Sequence, residues 1–174
     1  MKFIFFLFNL LFISYLSAGM NNDPNRIISS INKKLDLKIT SQFPIIFSYD
    51  VRRWDNGVQL VGLSYRTVGP LSKNKIREII VKSIEIILFE VNSDVYIRPF
   101  LAVYPFPLER IEFNLFLKAP DGGKIVYPHI SVGGFIHNEI TYSYQDQEPW
   151  TPYKEETVES YEEAKRIVEE NKGK

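Results

Sequence analysis

The sequence predicts an α+β fold, in which an antiparallel sheet of five to six strands has one long helix packed across one face. A short N-terminal helix and a C-terminal helix complete the arrangement. Three observations predict this fold. One stretch spaces its apolar residues as a helix does, the segments around it alternate apolar and polar residues, and glycine-containing turns join those segments as hairpins.

The long helix is predicted from Ser72 to about Asp94, because apolar residues recur there at spacings of three and four. Ser72 suits the N-cap, since its hydroxyl can accept from a free amide of the first turn. Burying an aliphatic side chain contributes roughly 1.5–3 kcal/mol, but ordering each backbone residue costs roughly 1–2 kcal/mol. The helix therefore needs the neighbouring strands as a partner surface. Its stripe is Ile76, Ile79, Ile80, Ser83, Ile84, Ile87, Leu88 and Val91.

Residues 1–19 have the pattern of a secretory signal peptide. Lys2 gives a positive start, Phe3 to Leu16 is an apolar run interrupted only by Asn9 and Ser14, and small residues follow. The run is short for a bilayer span, which needs about 20 residues. Cleavage would leave residues 20–174 as a single α+β domain, and an uncleaved membrane anchor is the alternative.

The composition narrows the classes of partner. The 174 residues include 21 basic and 21 acidic ones and no cysteine. Zero net charge gives no support for a nucleic-acid or anionic-membrane partner. Without thiols there is neither a disulfide nor lipid attachment through cysteine. Since N-glycosylation sequons are also missing, the sequence favours export from a bacterial cell, either to the periplasm or as a secreted protein.

The first half of the chain predicts a helix and a hairpin. Asp23 and Pro24 suit the N-cap and first residue of a short helix that ends near Asp36. The turn Asp55-Asn56-Gly57 then joins two alternating strands. We expect a three-residue loop with Gly57 at positive φ in a bulge, because this register puts the apolar residues on one face. A two-residue loop would instead oppose Val51 to Gly62. The expected pairs are Val51–Val61, Tyr49–Leu63 and Phe47–Tyr65.

Three or four more strands are predicted after the long helix. Val95 to Val103 is expected at an edge or with a bulge, because Pro99 lacks an amide donor. Ile111 to Lys118 alternates most clearly, and a hairpin centred on Asp121-Gly122 is expected to return along it. Gly133-Gly134 indicates a bulge or bend, followed by a strand, Ile140 to Tyr144, of unassigned register. The expected pairs of the second hairpin are Leu117–Val126, Phe113–Ile130 and Ile111–Val132.

The charged C-terminal segment predicts a final helix from about Glu155 to Glu170. Its charges are net negative from Asp146 onward, which is typical of a solvated helix surface. The face expected to pack on the rest of the fold is Val158, Tyr161, Ala164 and Val168.

No residue set carries recognisable catalytic chemistry. His129 and His137 lie near Glu139, but they lack a known metal-ligand spacing, and His129 is expected to face Asn114. There is no cysteine nucleophile and no serine in a G-x-S-x-G turn. The paired glycines stand in strand context rather than opening a helix, so they do not indicate a phosphate loop. The sequence thus predicts no catalytic, cofactor-binding or metal-binding residue and no cofactor.

Aromatic residues are the one unusual feature. Tyr142, Tyr144, Trp150 and Tyr153 follow one another near the C-terminal strand, and aromatics with polar tips favour recognition surfaces. They could equally close one end of the core. Similarly, Arg52 and Arg53 beside Trp54 could stack on a ligand, although charges at a hairpin edge also discourage strand addition.

Three functions stay open at this stage. The first is a small exported, non-enzymatic binding or protein-interaction domain, whose partner is a protein or a small molecule. The second is an exported enzyme whose histidine and carboxylates meet only in three dimensions, and the third is a membrane-tethered envelope component with an uncleaved leader. A concave pocket with a histidine near an acid would favour the enzyme. A flat apolar patch of several hundred Å² would favour the binding domain.

Overall fold

The computed structural model of the chain describes residues 23–146 and 152–171, so the predicted signal peptide, residues 1–19, lies outside them. The described residues form three helices and six strands, joined in places by short 3₁₀ turns. The helices are α1 (Pro24–Thr40), α2 (Lys73–Ser93) and α3 (Tyr161–Asn171). The strands are β1 (Ile46–Trp54), β2 (Val58–Val68), β3 (Ile111–Lys118), β4 (Val132–Ile136), β5 (Glu139–Tyr144) and β6 (Lys154–Ser160).

The strands form a single sheet whose order follows the chain from β1 to β6. β2 and β3 run parallel, and every other neighbouring pair is antiparallel. The parallel step lies where α2 joins β2 to β3, because a helical crossover returns the chain to the end of the sheet at which the first strand began. The predicted α+β class is confirmed, although the sequence did not reveal the parallel pair.

The helices all lie on one face of the sheet, which is therefore its covered face. The core joins apolar residues of the three helices to strand residues that point to this side alone. For example, the ring centres of Phe135 on β4 and Tyr161 on α3 are 5.7 Å apart. The other side, the open face, is not packed against any described helix. A membrane span needs a long, continuously apolar helix, and the helices in the described part of the chain include none of this kind. The strand residues of the core include Val61, Leu63, Tyr65, Ile111, Phe113, Leu115, Leu117, Ile140 and Tyr142.

The long helix agrees with its prediction. Ser72 is the N-cap, and its hydroxyl accepts from the Lys75 amide at 3.2 Å. Leu88 is half-buried, and the other residues of the predicted stripe are buried. α2 passes so close to β4 that a Cβ on Gly133 would lie 2.5 Å from Cγ2 of Ile76. The prediction of a bulge or bend at residues 133–134 is wrong, because β4 is regular there and the missing side chain makes room for the helix.

The short helix also begins as predicted, with Asp23 as N-cap accepting from the Asn25 amide at 3.0 Å. It ends at Thr40 instead of near Asp36. Ile39, which is fully buried, continues the apolar stripe by one more turn.

The first hairpin has the predicted loop and a different register. Trp54 pairs with Val58, which leaves the three-residue loop, and Gly57 has φ +133° as expected. A shift beside the turn then leaves Gln59 unpaired and opposes Val51 to Gly62, so the Val51–Val61 and Tyr49–Leu63 pairs are wrong. A second shift at Ser48 restores the Phe47–Tyr65 pair.

Two contacts explain the slipped register. A Cβ on Gly62 would lie 2.8 Å from Cβ of Val51, so glycine makes room for this valine on the open face. Val51 and Val61 therefore lie on opposite faces of the sheet. In exchange, Asp50 turns to the covered face, where its carboxylate accepts from Asn32 of α1 at 2.7 Å.

The predicted strand from Val95 to Val103 is not formed. The Asp94 carboxylate accepts from the amides of Tyr96 and Ile97, at 2.8 and 3.3 Å, which turns the chain immediately after α2. Pro99 then lies in a 3₁₀ turn, where its missing donor does no harm. Leu101 alone pairs with the sheet, by an isolated bridge to Val58.

The second hairpin turns where predicted and then separates. The Gly122 amide donates to the Ala119 carbonyl at 2.8 Å, but β3 pairs with residues 132–136, so that Phe113 opposes Phe135. All three expected pairs of this hairpin are therefore wrong. Residues 125–131 form a loop closed by the Ser131 hydroxyl, which donates to the Ile125 carbonyl at 2.6 Å. The alternation of apolar and polar residues in the sequence does not predict this seven-residue loop.

The C-terminal helix begins later than predicted. Residues 154–160 form β6 at the edge of the sheet, and α3 starts at Tyr161. Tyr161, Ala164 and Val168 are buried as expected, whereas Val158 lies on the strand and is 47% exposed. The sequence left the register of β5 unassigned. In the structure Ile140 of β5 lies opposite Phe135 of β4 on one side and opposite Glu159 of β6 on the other.

Candidate functional site

The histidines considered for a metal site do not come together on one strand. His129 lies in the loop before β4, and Asn114, its expected partner, opposes Gly134 instead. His137 lies in the tight β4–β5 turn with φ +51°, just before Glu139 opens β5. Among the described residues, no three histidine, aspartate or glutamate side chains are placed to hold a metal ion.

The aromatic residues near the C-terminal strand do not form a shared surface. Tyr142 is buried in the core, Tyr144 packs on Tyr127 with ring centres 5.0 Å apart, and Tyr153 is half exposed. Trp150 lies outside the described residues, as does the Arg52 side chain. Arg53 and Trp54 are on β1, an edge strand, which agrees with charges that discourage strand addition.

Arg77 of α2 is the centre of a buried polar cluster. Its Nε and Nη2 donate to the two carboxylate oxygens of Glu159, on β6, at 2.7 and 2.9 Å, and its Nη1 donates to Asn74 at 2.6 Å. The Tyr142 hydroxyl donates to the same carboxylate. The Arg77 and Glu159 side chains are 7% and 12% exposed. This bidentate ion pair fastens the last strand of the sheet to the long helix.

The contacts within this cluster shift the pKa values of its three ionisable groups away from neutral pH. The hydrogen bond to Glu159 raises the pKa of Arg77. Burial acts to raise the pKa of Glu159, but hydrogen bonds from Arg77 and Tyr142 outweigh it and hold that pKa below its ordinary value. Burial is the main cause of the raised pKa of Tyr142, and the hydrogen bond to Glu159 raises this pKa further. A general acid or base works best with a pKa near the operating pH, so this cluster is suited to a structural role.

Two clefts flank the start of α2. The larger, of about 370 Å³, lies between α2 and the end of α3, beside Arg77 and Val168. The smaller, of about 230 Å³, has His129 on its wall together with Lys73 and Thr157. The Lys73 ammonium donates to the Thr157 hydroxyl at 2.8 Å. No carboxylate is among the described residues that line the smaller cleft, so it does not pair a histidine with an acid.

The open face is the larger surface, and the strand registers arrange it in three rows. The middle row has a floor of small and polar residues, in which the Asn114 amide donates to the Ser64 hydroxyl at 3.3 Å. Apolar side chains stand around this floor, and the rings of Tyr49 and Phe116 are 6.1 Å apart. The middle row is Tyr49, Ser64, Asn114, Gly134, Thr141 and Val158; the outer rows are Ile46, Arg66, Phe116, Val132 and Ser143, and Val51, Gly62, Glu112, Ile136 and Glu139.

Exposure confirms that apolar side chains of this face meet solvent. Ile46 is 59% exposed, Tyr49 47% and Val158 47%. Charged residues stand toward the ends, with Arg66 and Lys118 at one end and Glu112 and Glu139 toward the other. Alternation in the sequence marks some of these residues as outward-facing. It does not show that the small residues of β2 to β5 align across the sheet, because that depends on registers set by bulges.

Comparison of the chain with protein-family models, with curated proteins and with solved structures found no match, so the conclusion rests on the geometry above.

Proposed function

We propose that this chain is an exported, non-enzymatic protein-interaction domain, and that its partner covers the open face of the sheet. The observation that carries the proposal is this uncovered face, where apolar side chains surround a floor of small residues. Export rests on the signal-peptide pattern of residues 1–19, and N-terminal sequencing of the mature protein tests it.

The shape of the face favours a protein over a small molecule. Small ligands bind in concave pockets that bury most of their surface, whereas this face is a broad layer of strands. Six strands about 4.8 Å apart, with about 20 Å of paired length, give roughly 500 Å². A specific protein interface buries at least about 1,000 Å² over both partners. The open face therefore supplies the half that one partner must contribute.

The chemistry of the face describes the partner. Ser64 and Gly134 are themselves buried, so a complementary surface has an apolar centre that packs on the exposed side chains around this floor, which are Ile46, Tyr49 and Val158. Its carboxylates would meet Arg66 and Lys118, and its basic side chains would meet Glu112 and Glu139. Complementary charge of this kind sets orientation and selects against other partners.

Photocrosslinking tests the proposal in the full chain. A photoreactive residue at Phe116, on the open face, should give an adduct of one discrete mass in an exporting bacterial cell. The added substitution Thr141→Arg should abolish this adduct, because it places a charge in the centre of the face. The mass of the adduct also distinguishes a second copy of the chain from another protein.

The matched control is the same photoreactive residue at Gln42, which is exposed and lies outside the open face. Equal crosslinking from position 42, or an adduct at position 116 that survives Thr141→Arg, would overturn the proposal. So would turnover of simple ester, phosphoester or glycoside substrates that Thr141→Arg leaves unchanged, since activity would then belong to another site.

A further inference from the structure

A second exposed apolar surface lies at the end of α2, away from the open face. Tyr96 is 79% exposed, Phe89 68%, Val95 61% and Tyr104 47%. These residues belong to the last turns of α2 and to the connection that leads to β3. We refer to these four residues as the aromatic end. Contact between water and so much apolar surface is unfavourable, and an exposed patch of this kind is typical of an interaction site.

The connection that carries this surface is fixed to α2. The Asn92 side chain donates to the Phe106 carbonyl at 3.0 Å and accepts from the Phe106 amide at 2.6 Å. The Tyr104 hydroxyl donates to the Asn92 carbonyl at 3.3 Å. The Arg98 guanidinium lies 4.2 Å from the centre of the Tyr104 ring. The exposed rings therefore stand on an ordered support, with a cation among them.

Ion pairs show which end of α1 lies beside the aromatic end. Lys34 of α1 pairs with Asp94 at 2.7 Å, and Lys38, one turn later, pairs with Glu90, one turn earlier in α2, at 3.6 Å. The two helices are therefore antiparallel. From Lys34 back to Asp23, α1 extends about 16 Å, at 1.5 Å for each residue. The chain thus enters the fold at the end where α2 finishes.

The sequence before this entry point is strongly apolar. The run from Phe3 to Leu16 ends seven residues before Asp23. Seven residues span at most about 25 Å, even when they are fully extended. A lipid bilayer that held the apolar run would therefore lie close to the end of the fold that carries Tyr96 and Tyr104.

We infer that the aromatic end faces a lipid bilayer. The tyrosine rings suit the interfacial layer, because each has an apolar body and a polar tip. Phe89 and Val95 enter more deeply, and Arg98 lies at the level of the lipid phosphates. This surface is separate from the open face, so the inference goes beyond the proposed protein partner and does not depend on it. It rests instead on the alternative in which residues 1–19 stay attached to the chain as a membrane anchor.

Site-directed spin labelling of the full chain tests this inference, because the absence of cysteine makes each introduced cysteine unique. The labels are attached at Tyr96→Cys and Tyr104→Cys, and the chain is reconstituted in vesicles of phosphatidylethanolamine and phosphatidylglycerol. Collisions with oxygen, relative to those with a water-soluble nickel complex, should be severalfold more frequent at these positions than at the control. The control is Tyr127→Cys, which is 60% exposed in the loop beside the start of α2.

Two results would overturn the inference. One is a label at position 96 that is as accessible to the nickel complex as the label at position 127. The other is strong coupling between labels at position 96 of two molecules without oxygen enrichment, which would show that a second copy covers the surface.

In a further variant, Phe89→Ser with Val95→Ser should move the label at position 104 toward water while the thermal unfolding of the domain is unchanged. A position 104 label that keeps its depth in this variant would contradict the roles of Phe89 and Val95.

Discussion

The two faces of the sheet are built from the same strands and yet follow different rules. On the covered face, large apolar residues and one buried ion pair meet three helices. On the open face, adjacent positions of the same strands carry small, polar or exposed apolar residues. Phe113 is fully buried, whereas Phe116 is only half-buried, three positions along β3. Stability is therefore concentrated on one side of the sheet, which leaves the other side free to change with function.

The largest expected difference between the faces comes from truncating these phenylalanines. Phe113→Ala should destabilise the domain by about 3–5 kcal/mol, because it removes a buried ring and leaves a cavity. Phe116→Ala should cost about 1 kcal/mol or less, since its ring lacks a covering layer. Urea unfolding of both variants measures the difference. Similar losses from both would show that the open face is covered in the folded protein.

The buried ion pair gives the next largest effect. Arg77→Met should cost about 3 kcal/mol, because it leaves the Glu159 carboxylate in a protein interior without its cation. The double variant Arg77→Met with Glu159→Leu should recover part of this loss, since no charge is then left unpaired. Chemical denaturation of the two variants tests this. A double variant that is no more stable than Arg77→Met would show that the pair contributes through packing alone.

Adjacent glycines give a smaller comparison between the faces. Gly133→Ala should cost about 1–3 kcal/mol, because its new methyl group would collide with Ile76 and Ile80 of α2. Gly134→Ala points to the open face, where the nearest atom is the Thr141 hydroxyl at 3.0 Å. That side chain can rotate away, so a smaller loss is expected. Thermal unfolding of the two variants compares their losses of stability. An equal loss would contradict the role of Gly133 in making room for α2.

The smallest effect is on the pH dependence of stability. The pKa of Glu159 is lower in the folded protein than its ordinary value of 4.5, so ionisation of this carboxyl stabilises the fold above about that pH. The contribution is lost as pH falls through the folded pKa. The difference in Tm between the natural chain and Glu159→Gln should therefore narrow between pH 7 and pH 3. A difference that is constant with pH would mean that this carboxylate does not carry the effect.

Local signals in the sequence predicted much of the covered face. The stripe of α2, the N-caps at Asp23 and Ser72, and the loop before Gly57 all depend on neighbouring residues, and all are confirmed. The strand register failed where a distant contact decides it, as when Val51 fills the space over Gly62. β6 was missed for the same reason. Its glutamates and lysine favour a helix locally, but pairing with β5 and the contact between Glu159 and Arg77 select a strand.

The candidate surfaces could be predicted even less. Alternation along β3 shows that Asn114 points away from the core, but it cannot show whether another layer covers it. The exposed position of Tyr96 depends on the turn that Asp94 makes after α2, and a strand was expected there. Binding surfaces are defined by what remains uncovered after folding, and this is a property of the whole chain.

The order of strands in the sheet has a consequence for how the protein is made. Because spatial order equals chain order, each strand that emerges during synthesis can add to an edge that is already present. The Arg77 guanidinium is in place long before its partner, since Glu159 follows 82 residues later. Until β6 is added, the start of α2, where Arg77 lies, is without the carboxylate that pairs with this cation in the folded protein. The ion pair that joins the long helix to the edge of the sheet can therefore form only after nearly all of the described chain has been synthesised.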